Sequence, residues 1–291
     1  MTFLNFLISG ISLGSIYAII ALGYTMVYGI AKMLNFAHGD IIMVGAYVCF
    51  FAVQRFELPP LVGIVLAIAA CTALGIVVEK LAYKPLRSAP SLAVLITAIG
   101  VSYFLQNSAQ LLWSSSPKVF PNVISDGKIV MGGLTVSWVT IVTILTCVII
   151  MLALTWFTGS TKMGKAMRAC SEDKGAAQLM GINVNRTISV TFAIGSALAA
   201  IAGVLLCSFS PSLMPTTGSM PGIKAFTAAV FGGIGSIPGA LLGGILLGVI
   251  ESLAKAYIST QLANAILFAV LIIVLLVKPT GLLGKKIREK V

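Results

Sequence analysis

The chain has 291 residues, of which 58% are hydrophobic and 9% charged, and its mean hydropathy is +1.06. Since a soluble domain carries about 25% charged residues, this chain lacks the polar side chains that a water-facing surface needs, and its main solvent must be lipid. The net charge of +11 is not accompanied by a pattern of basic and aromatic residues. We therefore expect anionic lipid, and no nucleic acid, beside its loops.

Long apolar segments without a charged residue follow one another along the chain. A bilayer core about 30 Å thick requires about 20 apolar residues in a helix. Backbone groups in hydrocarbon must be satisfied within their own segment, which favours helices over strands. The segments that meet or approach this length are Phe3–Ala31, Leu61–Val78, Ser91–Trp113, Leu134–Phe157, Thr187–Phe209 and the slightly shorter Leu262–Val277.

Each half of the chain also holds a short or interrupted apolar segment. Ile41–Val53 follows the polar residues Asn35–Asp40 and is too short to span unless it starts inside the membrane. In the second half, the uncharged segment Ala225–Ile250 contains Gly232–Gly239, whose glycines and proline break a helix. In transporters such corresponding interruptions indicate the solute path. The sequence predicts an all-α, polytopic transmembrane bundle of about eight spans, in one domain covering residues 1–291.

The polar segment Asn35–Asp40 has two interpretations. It could be an interfacial turn in which Asp40 caps the helix that follows, because aspartate is favoured at that position. It could also be a break whose backbone and polar side chains line a cavity. Both can hold, since a cap would position the break.

Lysine and arginine are concentrated in three segments, which predicts the orientation of the spans. Glu79–Pro90, Thr158–Arg186 and the tail after Val277 are expected in the cytoplasm, whereas Gln54–Pro60 and Ser114–Gly133 hold few basic residues and are expected outside. The basic tail consists of Lys278, Lys285, Lys286, Arg288 and Lys290.

The basic loop Thr158–Arg186 and the tail are both expected inside, and two other spans, Thr187–Phe209 and Leu262–Val277, lie between them. The segment Gly222–Tyr257 must therefore cross the membrane an even number of times. Two legs joined at Gly232–Gly239 satisfy this requirement, either as two crossings or as a re-entrant pair. Glu251 and Lys255 lie four residues apart near the end of the second leg. We expect them to form an ion pair, with Lys255 reaching the membrane surface. Proton coupling would need further carboxylates or histidines inside the spans.

The basic loop Thr158–Arg186 is expected to form one or two short helices. Small residues at Ala166, Ala169, Ala176 and Ala177 stand at near-helical spacing among charges. Such a surface favours docking into the groove of a partner protein. The alternative is a solvated amphipathic connector between two spans.

Several of these segments resemble the branched-chain amino acid ABC transporter permeases of the LivH type, a family of binding-protein-dependent importers. Leu34–Asp40, with Gly45-Ala46-Tyr47 after it, is similar to the family signature. Gly175-Ala176-Ala177-x-x-x-Gly181 is similar to the EAA-x-x-x-G pattern of importer permeases, with Gly175 where glutamate is usual. Gly232–Gly239 and the closing Lys278–Gly284 also match, so that the resemblance covers nearly the whole chain.

The resemblance implies a permease subunit in a bacterial cytoplasmic (inner) membrane, with its C-terminus in the cytoplasm. Its expected partners are a second related permease, two cytoplasmic ATPase subunits and a periplasmic or lipid-anchored substrate-binding protein. The substrate would be a branched-chain or similar small amino acid, and the alternative function is a secondary transporter or channel. The resemblance implies a translocation path shaped by Asn35, Phe36, His38, Asp40, Gly232, Gly233, Gly235, Pro238 and Gly239, and ATPase coupling within residues 158–186 by Gly164, Arg168, Asp173, Ala176, Ala177 and Gly181.

No enzyme activity of its own is expected for this chain. None of its glycine-rich segments ends in the GK[ST] of a phosphate-binding loop, so ATP hydrolysis would belong to partner subunits. The five cysteines are scattered singly without metal-binding spacing. We therefore expect no catalytic residues, no metal and no cofactor.

Overall fold

The computed structural model describes residues 2–87, 89–125, 127–131 and 134–284. Lys285, Lys286, Arg288 and Lys290 of the predicted basic tail lie outside the described residues. The helices are α1 (Thr2–Ala31), α2 (His38–Gln54), α3 (Pro60–Val78), α4 (Ser91–Trp113), α5 (Trp138–Ser160), α6 (Lys162–Glu172), α7 (Lys174–Leu179), α8 (Val184–Phe209), α9 (Ser219–Gly232), α10 (Ile237–Tyr257) and α11 (Ala263–Val277). The short strands are β1 (Lys118–Val119), β2 (Lys128–Met131), β3 (Leu134–Ser137) and β4 (Ser212–Leu213).

Six of the described helices are long and apolar enough to cross a membrane: α1, α3 with the helical turns that continue it to Leu86, α4, α5, α8 and α10. The apolar helices α2 and α11 are shorter. The predicted helical membrane bundle, with a short or broken helix in each half, is therefore confirmed.

One predicted span begins four residues too early. Leu134–Ser137 is strand β3, which pairs antiparallel with Lys128–Met131 to form a hairpin. The helix α5 starts at Trp138, where the side chain of Ser137 accepts a hydrogen bond from the Thr140 N–H. This cap ends the strand and begins the helix, because it satisfies a free amide of the first turn.

The centre of the bundle is formed by α1 and α8. Their most apolar windows are 72% buried, compared with 17–28% for α3, α4 and α5, which therefore form the periphery. The helices α1 and α10 pack antiparallel along their length, with Gly10 beside Val249 and Gly14 beside Ile245. Glycines allow this close approach because no side chain separates the two backbones.

Two short helices begin inside the bundle. The first residue of α2, His38, lies against Gly195 near the middle of α8 and against Gly23, about two turns before the end of α1. The N-terminus of α9 lies at the same place, because Gly218 and Gly222 contact Gly39. From this point α2 runs toward the end of α4, where Tyr47 stacks on Trp113 at 4.4 Å. The helix α9 runs the opposite way, toward the end of α1.

Candidate translocation site

The N-termini of α2 and α9 meet at a contact made almost entirely of glycine backbone. A Cβ atom on Gly222 would lie 2.9 Å from the Cα of Gly39, and a Cβ on Gly39 would lie 2.7 Å from the carbonyl oxygen of Gly218. Two helix N-termini therefore bring the partial positive charges of their first turns to one place inside the bundle. We call this contact the half-helix junction.

Asp40 places a carboxylate beside the half-helix junction. Its side chain is 1% exposed, and its Oδ1 accepts a hydrogen bond of 2.8 Å from the Nε2 of Gln106 on α4. The same nitrogen lies 3.1 Å from the Oγ of Ser219, the first residue of α9. One amide thus links α4 to the first turns of both half-helices, and the helix N-terminus favours the negative charge.

The interpretation in which Asp40 caps α2 is wrong. The N-cap position is occupied by Ala37, and no side chain makes a capping hydrogen bond there. The helix begins at His38, earlier than the cap interpretation requires, so that Asp40 lies within the first turn. Its carboxylate accepts a hydrogen bond from Gln106 of another helix.

The other predicted path residues of the first half lie around the same turn. Asn35 accepts a hydrogen bond of 2.8 Å from the hydroxyl of Tyr83. Phe36 packs against Phe226 of α9, with ring centroids 5.5 Å apart. The His38 ring lies edge-on to Tyr24 at 4.7 Å, and its Nε2 has no hydrogen-bond partner among the described residues. The structure thus brings these side chains together with α9.

The predicted break in the second half lies at the C-terminal end of α9. Its backbone joins the chain's closing segment, where the N–H of Leu283 donates to the carbonyl of Gly232. Residues 233–236 connect α9 to α10, which confirms two helical legs joined by this break. Gly233, Gly235, Pro238 and Gly239 lie in or beside this connection, and their role in the path stays a prediction.

A small cavity separates the two breaks. Its volume is about 10 Å³, and its lining includes Asn35 from the first break, Ile234 from the second, and Tyr24 and Phe226 between them. This is roughly the space that one water molecule requires. Within this chain the passage between the two breaks is therefore closed to an amino acid in this conformation.

A buried charge cluster holds α9, α10 and α1 together. The carboxylate of Glu251 accepts hydrogen bonds from Lys224 at 2.7 Å, Lys255 at 2.6 Å and the Tyr17 hydroxyl at 2.9 Å. The predicted pair of Glu251 and Lys255 is thus confirmed, but Lys224 was missed. Its signal in the sequence is a single lysine beside an uncharged apolar segment, because an ionisable residue in a span usually has a specific partner.

The loop at residues 158–186 contains two helices, α6 and α7, as predicted. Two of its predicted coupling residues, Gly164 and Ala177, are buried inside this chain, where Gly164 approaches the backbone of α5. Arg168 is exposed and donates to the Gly159 carbonyl at 3.1 Å. The Oδ1 of Asp173 accepts hydrogen bonds from the N–H groups of the first turn of α7.

The remaining coupling residues lie at the surface of the loop. Ala176 and Gly181 are exposed, and Gly181 has a φ of +79°, which ends α7 in a left-handed conformation that glycine favours. Beside them, Leu179 and Met180 are 90% and 81% exposed. These two side chains were not among the coupling residues predicted from the sequence, because an apolar residue in a membrane protein does not stand out until its exposure is known.

A bundle of apolar helices in which two half-helices meet at buried polar side chains defines a solute permease, since irregular backbone inside a membrane is tolerated where it lines a path or is buried in protein. Residues 6–275 match the family model described as "Branched-chain amino acid transport system / permease component". The chain belongs to this family.

Relatives along nearly the full length support the same assignment. The chain is 44% identical to the high-affinity branched-chain amino acid transport system permease protein BraD of Pseudomonas aeruginosa, over 99% of this chain and 98% of that protein. It is 46% identical, with the same coverage, to the protein of that description named LivH in Escherichia coli strain K12. A probable permease LivH of Methanocaldococcus jannaschii is 30% identical over 78% of this chain and 73% of that protein.

Proposed function

We propose that this chain is the permease subunit of an ATP-binding-cassette importer for branched-chain amino acids. It would pair with a second related permease and two cytoplasmic ATPases, and receive its substrate from an extracytoplasmic binding protein. The observation that carries this proposal is the 44–46% identity, over nearly the whole chain, to permeases described as high-affinity transporters of these amino acids.

The half-helix junction supports the transport of a zwitterion. The two helix N-termini favour a carboxylate, and Asp40 offers a negative charge to an ammonium group. Phe36, beside the same junction, provides an apolar surface for an aliphatic side chain. In this conformation the residues pack closely, so substrate passage requires the junction to open, and the energy for opening would come from the partner subunits.

The loop at residues 158–186 supports docking to a cytoplasmic ATPase. Leu179 and Met180 protrude from the end of α7 with little contact to their own chain. Exposed apolar side chains held on a capped helix suit insertion into a groove of a partner protein. The buried residues Gly164 and Ala177 fix the loop against the bundle, so that a force on the tip moves the loop as one body.

Reconstitution tests the proposed function directly. The chain would be coexpressed with the second permease and the ATPases encoded beside it, placed in proteoliposomes with ATP inside, and supplied with the binding protein and radiolabelled leucine. We expect uptake that requires ATP and the binding protein. Uptake that continues without ATP hydrolysis would indicate the alternative, a secondary transporter or channel. A reporter fused after Val291 would test whether the C-terminus lies in the cytoplasm.

We predict that Leu179→Asp prevents the ATPase subunits from copurifying with the permease. A charge at the 90% exposed tip replaces an apolar contact and would be buried without a partner in the docked complex, which costs at least about 2 kcal/mol, or roughly thirtyfold in affinity. The matched control is Val119→Asp, which places the same charge at a 79% exposed apolar residue of β1 on the other side of the bundle. Equal ATPase recovery with both variants would contradict the docking surface.

A further inference from the structure

The loop that carries α6 and α7 holds the end of α1 through one lysine. The Nζ of Lys174, the first residue of α7, donates a hydrogen bond of 2.6 Å to the carbonyl oxygen of Ala31. Ala31 is the last residue of α1, and its carbonyl is among those that have no partner within the helix. The next residue, Lys32, has a φ of +57°, so the chain leaves the helical path there.

The segment that begins at Lys32 leads directly to the half-helix junction. Residues 32–37 connect α1 to α2, and α2 starts at His38 beside the junction. Lys174 therefore contacts the bundle at Ala31, directly before the connecting residues 32–37. No other residue of α7 has a side-chain hydrogen bond to α1 among the described residues.

An apolar cluster reinforces this contact. Met26 and Ile30 of α1 pack with Met167, Cys170 and Ala177 of the loop, and each of these side chains is at most 6% exposed. The loop therefore sits on the inner end of α1 and moves with it unless this cluster separates. The hydrogen bond of Lys174 lies at the point where this contact reaches the break.

Lys174 is repelled by two neighbouring cations and attracted by one carbonyl oxygen. Burial and the nearby positive charges of Arg87 and Lys32 hold the pKa of Lys174 below its usual range. The Ala31 carbonyl at the C-terminus of α1 attracts the ammonium group instead. Arg87 itself is bound to Glu79 and Asn185, so that α3 and α8 fix its position. The hydrogen bond to Ala31 therefore forms against the repulsion of these two cations.

We propose that Lys174 is a positioning residue that transmits movement of the α6–α7 loop to residues 32–37 and so to the half-helix junction. The proposal rests on the proposed function, because the ATPases supply the movement. The helix α7 has 6 residues, a length of about 9 Å at 1.5 Å per residue. Leu179 and Met180 stand at its far end, where the ATPase would bind, and Lys174 at its near end, where the break begins.

Removal of the ammonium group tests this role in the complete reconstituted transporter. Lys174→Met keeps the aliphatic stem but cannot donate to Ala31. We expect the ATPase subunits to copurify as before and ATP hydrolysis to stay within about twofold, while the amount of leucine moved per ATP falls by about tenfold or more. Lys174→Arg should restore the ratio, since a guanidinium also donates to a carbonyl.

The control for a lost positive charge is Lys80→Met, at an exposed lysine in the helical turns after α3 and outside the docking loop, which should keep the wild-type amount of leucine moved per ATP. If Lys174→Met accumulates poorly, Lys174→Gln, which is too short to reach the carbonyl, gives the same readout. The proposal would be overturned if Lys174→Met or Lys174→Gln moved as much leucine per ATP as the wild type, or if the ATPases were lost on purification. Failure of the proposed function is separate, because there the wild-type complex itself would show no ATP-driven uptake.

Discussion

Replacement of Glu251 by glutamine is expected to prevent most of the protein from folding stably. Glu251 is 1% exposed and accepts hydrogen bonds from Lys224, Lys255 and Tyr17. Without its charge, two ammonium groups would face each other, and the Lys224 side chain, 7% exposed, has no other acid as a partner among the described residues. Removal of one member of a buried ion pair costs roughly 3–5 kcal/mol, a large part of the stability of a typical domain.

The measurement is the yield of monodisperse protein in mild detergent together with its apparent melting temperature. Glu172→Gln is the matched control, because it removes an exposed carboxylate that has no ion pair among the described residues. Addition of Lys224→Met to Glu251→Gln should recover part of the loss, since Lys255 is 41% exposed and can reach water alone. If the single and double variants both had the melting temperature of the wild type, the charge cluster would not contribute to stability.

The long spans were predictable because hydropathy depends only on composition and length. α4 begins and ends as predicted, and the predicted bounds of α3 and α11 differ by one residue at their N-terminal ends. The start of α5 was not predictable from hydropathy, because Leu134–Ser137 is as apolar as a span but pairs with β2 as a strand. Pairing between segments leaves no trace in a hydropathy profile.

The position of the second half-helix illustrates what sequence reasoning misses. Gly232–Gly239 attracted attention because its glycines and proline break a helix, and it does join α9 to α10. The partner of Gly39 is instead Gly218, in an irregular segment after α8. That segment contains polar residues and prolines and is easily assigned to an external loop. Only the packing of α2 on α9 reveals that it ends inside the bundle.

The polar residues of the site were partly predictable. Asp40 and His38 stand out because charged or titratable residues are rare beside spans. Gln106, which donates to Asp40, and Ser219, which lies within hydrogen-bond distance of Gln106, are ordinary polar residues of their segments. Their importance follows from the distance between α4 and α9, which depends on the whole fold.

Gly218→Ala is expected to abolish transport because it forces the two half-helices apart. A methyl group on Gly218 would collide with the carbonyl oxygen of Gly39 and lie 3.3 Å from the amide nitrogen of Met43. Backbone on both sides cannot rotate away as a side chain can, so that α9 must shift relative to α2. Overpacking of this kind costs on the order of 1–3 kcal/mol. The shift would also separate Ser219 from Gln106, which holds Asp40.

Leucine uptake by proteoliposomes that contain the complete transporter is the measurement, normalised to the amount of folded permease. The matched control is Gly100→Ala in α4, where a methyl group meets no atom within 4 Å and where alanine favours the helix. We expect uptake near background for Gly218→Ala and near wild type for Gly100→Ala. If Gly218→Ala folds and transports normally, the half-helices do not need their close contact, and the junction is not the point at which the path opens. Because Lys174 and Ala176 lie far from Gly218 in the chain and on another element, ATPase binding should survive this substitution, which separates a blocked path from a lost partner.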